Sequence, residues 1–353
     1  MPTTVHAYGA PAVGAPLVPV AIERRDVGPH DVKLDILFCG ICHSDIHFVS
    51  GDFGPLAVEP FVPGHEIVGV VTEVGPEVTK HKVGDRVGIG CMVESCRTCE
   101  NCLAGEQQYC VNGSVLVFGG LDPFDGTITQ GGYSQEYVAN EDYIVHVPES
   151  LDPAAAAPLL CAGITVYSPL RRWNTGPGTR VAVLGLGGLG HLGVKMAKAM
   201  GAEVTVLSRT EAKRADALAL GADDYYATED PAVFAQLSNR FDIVLNTVSA
   251  PIDVDAYLGT LRREGTLANV GLTTQSLSYN PFSIMTAGRS ISASSFGSIR
   301  ETQEMLDFAA EHGVTADIEV IDAAQVNDAF ERVLASDVRY RFVIDSATYP
   351  GVA

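Results

Sequence analysis

Lys and Arg are scarce in this chain, 23 against 43 Asp and Glu, which leaves a formal net charge of −20 over 353 residues. Most of such a surface repels a nucleic-acid backbone or an anionic membrane, so neither is expected as a partner. The same carboxylate excess serves solubility and a saline habitat equally well. Long apolar runs are missing too, and no uninterrupted one reaches the ~18 residues of a membrane span. The start, Met1-Pro2-Thr3-Thr4-Val5-His6, lacks a basic segment with an apolar stretch behind it, which makes a soluble cytoplasmic protein the expectation. Internal repeats, low-complexity tracts and charge runs are absent. With 46% hydrophobic and 19% charged residues there is no disorder signature.

What is present is a turn-rich globular composition, with 36 Gly and 19 Pro, and a length that fits two domains at ~150 residues each. In the first 150 residues, alternating runs such as Val32-Lys33-Leu34-Asp35-Ile36-Leu37 and Glu66-Ile67-Val68-Gly69-Val70-Val71 lie between Gly, Pro and Asp turns, the pattern of antiparallel sheet. From Thr179 the texture changes. Arg180-Val181-Ala182-Val183-Leu184 reads as a buried strand, followed by a glycine-rich turn, a helix over 189–200 and a strand over 203–207. Further strands over 241–246 and 265–270 extend this βαβ unit into a parallel, doubly wound sheet with right-handed crossovers. Helices over 301–312 and 323–334 and a last strand over 340–345 form a tail expected to return to the first domain. The expected division is 1–161, 162–296 and 297–353.

Eight cysteines in a cytoplasmic chain read as metal ligands or reactive thiols rather than disulfides. Cys96, Cys99, Cys102 and Cys110 form C-x2-C-x2-C-x7-C, able to set four thiolates around Zn²⁺ in a closed site that supports a loop and does no chemistry. An iron–sulfur cluster is the rival, but the Cys-Pro ending of bacterial ferredoxins is missing and the loop carries Glu100, Gly105 and Glu106. Cys42 and Cys161 flank Pro63-Gly64-His65-Glu66. Two thiolates and one imidazole would leave a fourth zinc position open, although a lone cysteine or histidine is more often a buried or turn residue.

The turn Gly185-Leu186-Gly187-Gly188-Leu189-Gly190 follows a strand and opens a helix. Gly185, Gly187 and Gly190, with Gly188 and Leu189 between them, let the backbone approach a pyrophosphate at the helix N-terminus. At the end of the second strand, Val206-Leu207-Ser208-Arg209-Thr210 offers no carboxylate to a ribose 2′-hydroxyl. Ser208 and Thr210 can bind a 2′-phosphate that Arg209 and Lys213 neutralise, which favours NADP(H). The competing reading is a capping box between Ser208 and Glu211.

Together Cys42-His43-Ser44-Asp45, Gly64-His65-Glu66, the four-cysteine loop and the glycine turn resemble the zinc-dependent medium-chain alcohol dehydrogenases over nearly the whole chain. Gly131-Gly132-Tyr133-Ser134, the stretch from Cys161 to Leu170 and Glu301-Thr302-Gln303-Glu304-Met305-Leu306 look like the cinnamyl-alcohol-dehydrogenase branch and its bacterial, especially mycobacterial, NADP-dependent relatives. The resemblance implies an α/β plus β architecture, a GroES-like catalytic domain joined to a Rossmann domain, with the active site in the cleft between them. It implies two Zn²⁺ per chain, with Cys42, His65 and Cys161 as catalytic ligands and Glu66 behind the zinc or replacing its water. Asp45 then orients His65.

The implied reaction is hydride transfer between NADP(H) and a primary alcohol or aldehyde, aromatic or medium-chain, favouring aldehyde reduction, in a homodimer. Ser44, the cofactor ribose, His47 and Asp52 carry the proton outward, though a Gly-Asp turn explains Asp52 almost as well. His43 stands where several relatives carry Arg. Phe53, Leu56, Trp173 and Phe296 are pocket candidates or simply core. The alternatives are a polyol or formaldehyde dehydrogenase of the same superfamily, or a non-catalytic homologue, against which the full set of ligand and relay residues argues.

Overall fold

A computed structural model describes residues 3–350; Met1 and Pro2, part of the start considered above, and residues 351–353 of the tail lie outside the described residues. Two units follow, one running to Cys161 and resuming at Ser298, the other spanning Ala162–Gly297.

In the first unit the alternation of Asp31–Gly40 sends Val32, Leu34 and Ile36 into the core, while Lys33 pairs outward with Glu136 at 2.7 Å. This strand lies between antiparallel neighbours. Ile67–Val74 pairs on one side, continuing through Arg86–Ile89 to Val145–His146, and Glu136–Asn140 pairs with the strand's beginning. Its end pairs with Arg341–Asp345 from the tail, which is itself parallel to Ile318–Asp322. Val32, Leu34, Ile67, Val87, Ile89, Phe342 and Ile344 meet in one apolar core.

The tail helix Ile299–His312 starts where Ser298 and Glu301 form a capping box and stops at Gly313 in the left-handed region (φ 66°). It buries Met305, Leu306 and Ala309. The helix expected over 323–334 begins as a 3-10 turn, Ala323–Gln325, where Asp322 and Gln325 cap each other, and becomes α-helical over Val326–Leu334.

The second unit carries a six-stranded, wholly parallel sheet. Its order is Asp224–Ala227, Glu203–Ser208, Arg180–Leu184, Phe241–Asn246, Leu261–Asn269 and Ser290–Ala293. The chain reverses direction of growth between Arg180–Leu184 and Phe241–Asn246, which opens a crevice at the carboxyl ends of those strands. Val181, Ala182 and Val183 are fully buried, as expected of a strand covered on both faces. No single helix among the described residues is long and apolar enough to cross a membrane.

Candidate active site

Cys42 ends the turn after Asp31–Gly40 and caps the helix His43–Ser50. Asp45, one turn in and fully buried, accepts hydrogen bonds from the Cys42 amide (2.8 Å), the Gly64 amide (3.0 Å) and the Tyr133 hydroxyl (3.2 Å), and meets His65 Nδ1 at 2.9 Å. A carboxylate beside Nδ1 holds the proton there and leaves the lone pair on Nε2. Nε2 faces Cys161 Sγ at 3.2 Å, and Cys161 Sγ lies 3.9 Å from Cys42 Sγ. Donor atoms of Cys42, His65, Glu66 and Cys161 all fall within 4.8 Å of one another.

This set fits zinc. Sulfur ligands at about 2.3 Å from a tetrahedral ion stand about 3.8 Å apart. Glu66, fully buried, presents Oε2 without a hydrogen-bond partner, an orphaned acceptor that a cation would satisfy. Hydrogen bonding from Cys161 and the nearby imidazole hold the Cys42 thiol well below its usual range, while its neighbours Cys42 and Cys91 and burial push Cys161 up. Burial raises the Glu66 carboxyl to about 8 against the pull of Arg341.

Sequence reasoning missed Arg341 and Cys91. Arg341 is buried, contacts Glu66 Oε1 and donates to the Ile41 carbonyl at 2.7 Å. Its one available signal is a lone cation in the apolar strand Arg341–Asp345. Cys91 lies beside Cys161, and no spacing pointed to it.

The proposed relay residues fall in two groups. Ser44 Oγ is 3.7 Å from Cys42 Sγ, and His47 Nδ1 meets Asp52 Oδ2 at 2.6 Å, but no hydrogen bond among the described residues joins Ser44 to His47. The rings of His43 and His47 stand 6.1 Å apart. Phe53, 43% exposed, packs against His47 and Phe48, and Leu56 packs on the core of the first unit. Trp173 and Phe296 belong to the second unit, where Trp173 lies under Arg172.

Cys96, Cys99, Cys102 and Cys110 cluster within 4.8 Å, with Cys96 Sγ 3.9 Å from Cys102 Sγ. Backbone N–H groups of Thr98 and Cys99 hold Cys96 down to about 5, whereas burial lifts Cys102 to about 11. Four sulfurs so gathered fill a tetrahedral shell and leave no open position.

In the second unit, Gly187 precedes the helix Gly188–Ala199. Gly185 takes φ 89°, and a Cβ on Gly190 would strike the Gly185 carbonyl, so both are glycines for the turn's own packing. Around a Cβ on Gly187, by contrast, nothing lies within 4 Å. The turn is therefore closed beneath and open above, in front of the free N–H groups of Gly188, Leu189 and Gly190, a cradle that fits a pyrophosphate. Lys213 Nζ donates to the Leu186 carbonyl at 2.8 Å, which brings its charge to this turn. Ser208 is the last residue of its strand, and Arg209 and Thr210 are exposed. The capping box considered for Ser208 does not form: Thr210 precedes the 3-10 turn Glu211–Lys213, and Glu211 pairs with Arg214 at 2.6 Å.

Family models named alcohol dehydrogenase GroES-like domain and zinc-binding dehydrogenase match residues 28–149 and 188–311. The chain is 57% identical to NADP-dependent alcohol dehydrogenase C 1 of Mycolicibacterium smegmatis, covering 98% of this chain and 99% of that one. It is 58% identical to a probable formaldehyde dehydrogenase of Bacillus subtilis over 93% of each. The solved structure of a cinnamyl alcohol dehydrogenase of Sorghum bicolor superposes with a TM-score of 0.96 at 45% identity, over 99% of this chain and 100% of that one.

Proposed function

This chain belongs to the zinc-binding alcohol dehydrogenases with a GroES-like domain, and from that membership we propose that it interconverts aldehydes and primary alcohols with NADP(H), mainly as a reductase of aromatic or medium-chain aldehydes. The observation that carries the proposal is the convergence of two thiols and one imidazole lone pair at a buried point, with Asp45 fixing the ring. A soluble cytoplasmic homodimer is the accompanying proposal for its state.

Cys42, His65 and Cys161 would hold Zn²⁺, which would supply a Lewis acid for the substrate oxygen, while NADP(H) would supply or accept the hydride. Reduction of one aldehyde consumes one hydride and one proton and gives one alcohol and NADP⁺. Ser44 Oγ hands that proton to the substrate oxygen. His47, its Nδ1 held by Asp52, returns a proton to Ser44 from the solvent side. Asp45 keeps His65 in the tautomer that ligates, and Glu66 is a reserve donor. The four-cysteine loop would hold the second zinc in a closed shell.

The backbone from Gly185 to Gly190 would hold the pyrophosphate, and Ser208, Arg209, Thr210 and Lys213 would supply the donors and charge for a 2′-phosphate. Hydrogen bonds to charged groups are worth ~1.5–3 kcal/mol, so wild type should favour NADPH over NADH by about one to two orders of magnitude in kcat/KM. Arg209→Ala should narrow that ratio, and Ser208→Asp should turn it toward NADH. Steady-state kinetics with an aromatic aldehyde, an aliphatic aldehyde and formaldehyde check both halves. A wild-type preference for NADH, or a ratio unmoved by Arg209→Ala, removes the phosphate reading. Faster turnover of formaldehyde than of either larger aldehyde would favour the activity named for the Bacillus relative.

A further inference from the structure

Neither the proposed reaction nor the loop zinc uses the group formed by His81, Asp85 and His146. The strand Val145–His146 pairs with Arg86–Ile89, and the turn entering the latter brings the three side chains together, with one donor atom of each within 4.8 Å of the others.

His81 is the informative member. Its residue is only 7% exposed, yet neither Nδ1 nor Nε2 makes a well-formed hydrogen bond, the Glu141 backbone being the polar group beside the ring. A neutral imidazole carries one N–H and one lone pair, and a role in packing alone would be filled better by an apolar ring. The His146 ring lies 4.5 Å from it, centroid to centroid. His146 Nε2 sits 3.2 Å from the Lys80 carbonyl; with its proton held there, the lone pair is left on Nδ1, the disposition of a ligating histidine whose other nitrogen is fixed by a backbone carbonyl. The main chain of His146 is pinned from the other side by Gln303, which accepts from its N–H at 2.7 Å and donates to its carbonyl at 3.1 Å. Asp85 is oriented by Lys82, whose amide and Nζ reach its two oxygens at 2.9 and 2.7 Å, and each oxygen keeps a second lone pair.

We propose that His81, Asp85 and His146 form a third metal site, which takes a divalent ion of the zinc, nickel or copper kind and completes its shell with water. Two imidazoles and a carboxylate are the donor set such borderline ions select. His146 is exposed, so the ion enters from solvent, and a chain of net charge −20 draws cations toward it. The bound ion ties the turn around Lys82 to Val145–His146 and stabilises the first unit by mass action.

The test is equilibrium dialysis of the zinc-loaded enzyme against free Zn²⁺, with zinc per chain counted by mass spectrometry. Wild type should take up one more zinc than His146→Gln, a surface change that leaves the fold intact, and Asp85→Asn should bind that ion at least ~tenfold more weakly. Zn²⁺ should also shield His146 from carbethoxylation in wild type. His81→Phe, which suits the buried site, should lose the extra zinc without losing its thermal midpoint in metal-free buffer. Equal zinc in wild type and His146→Gln, or His146 carbethoxylated as fast with Zn²⁺ as without, overturns the proposal. So does full extra-zinc binding by folded His81→Phe.

Discussion

Asp45 has every acceptor position in use: an amide at each of two chain segments, a tyrosine hydroxyl and His65 Nδ1. It therefore ties Cys42 and His65 into one rigid piece before any metal arrives. Asp45→Asn keeps the shape but offers an amide N–H to one of those donors and lets the His65 proton move to Nε2. Zinc affinity at the Cys42 site should fall about 10–100-fold, read as one zinc lost per chain on dialysis against a weak chelator, with the four-cysteine zinc retained. At this scale the sequence was most legible where partners are close along the chain. The four cysteines lie within fifteen residues, and the glycine turn is a six-residue pattern. Arg341 was not legible because its partner Glu66 is 275 residues away, and an arginine in a strand carries no mark of whether it faces water or a buried carboxylate. His81 and Asp85 went unread because the second imidazole arrives from a strand sixty residues on.

Among elements, alternation exposed the strands well, since a sheet with one core face writes its geometry into every second residue. The limits of elements were harder to read. Glu66 continues the alternating run but lies one residue before the strand Ile67–Val74, its carboxylate in contact with Arg341 and its carbonyl accepting from the Gly40 amide. Loops held by side chains were not legible at all. Glu141, for one, accepts from the Thr79 and Lys80 amides at 2.8 Å each, which anchors the turn that carries His81. Burial opposes its ionised form, but those two amides and His30 prevail and hold its carboxyl below the ordinary 4.5. A carboxyl depressed in the folded state contributes stability above its unfolded value and loses it as pH falls through the folded value. Glu141→Gln removes that dependence. Wild type should lose more of its thermal midpoint than Glu141→Gln between pH 5 and about pH 3, and parallel losses in the two proteins would assign the anchor no electrostatic part.

The whole molecule is continuous in one unit and interrupted in the other. Residues Ala162–Gly297 hold their own sheet and core on an unbroken stretch, so that segment expressed alone should be soluble and melt cooperatively. A chain ending at Gly297 lacks Arg341–Asp345, which leaves Asp31–Gly40 without one neighbour and Glu66 without its guanidinium. Exposed edges aggregate. Size-exclusion chromatography of the two fragments should give one monodisperse peak and one aggregate.

The two cysteine-bearing sites also differ in how far apart their members stand along the chain. Cys96 and Cys110 are 14 residues apart, whereas Cys42 and Cys161 are 119 apart and Glu66 waits for a strand near the chain's end. Short loops close sooner and at less entropic cost, and a ribosome delivers the N-terminal members first. Under metal scarcity the cell would then hold a population that is folded but idle, with one ion per chain. Purification from zinc-starved cells should recover enzyme of near-normal melting point and poor turnover, and added Zn²⁺ should revive it within minutes without any refolding step.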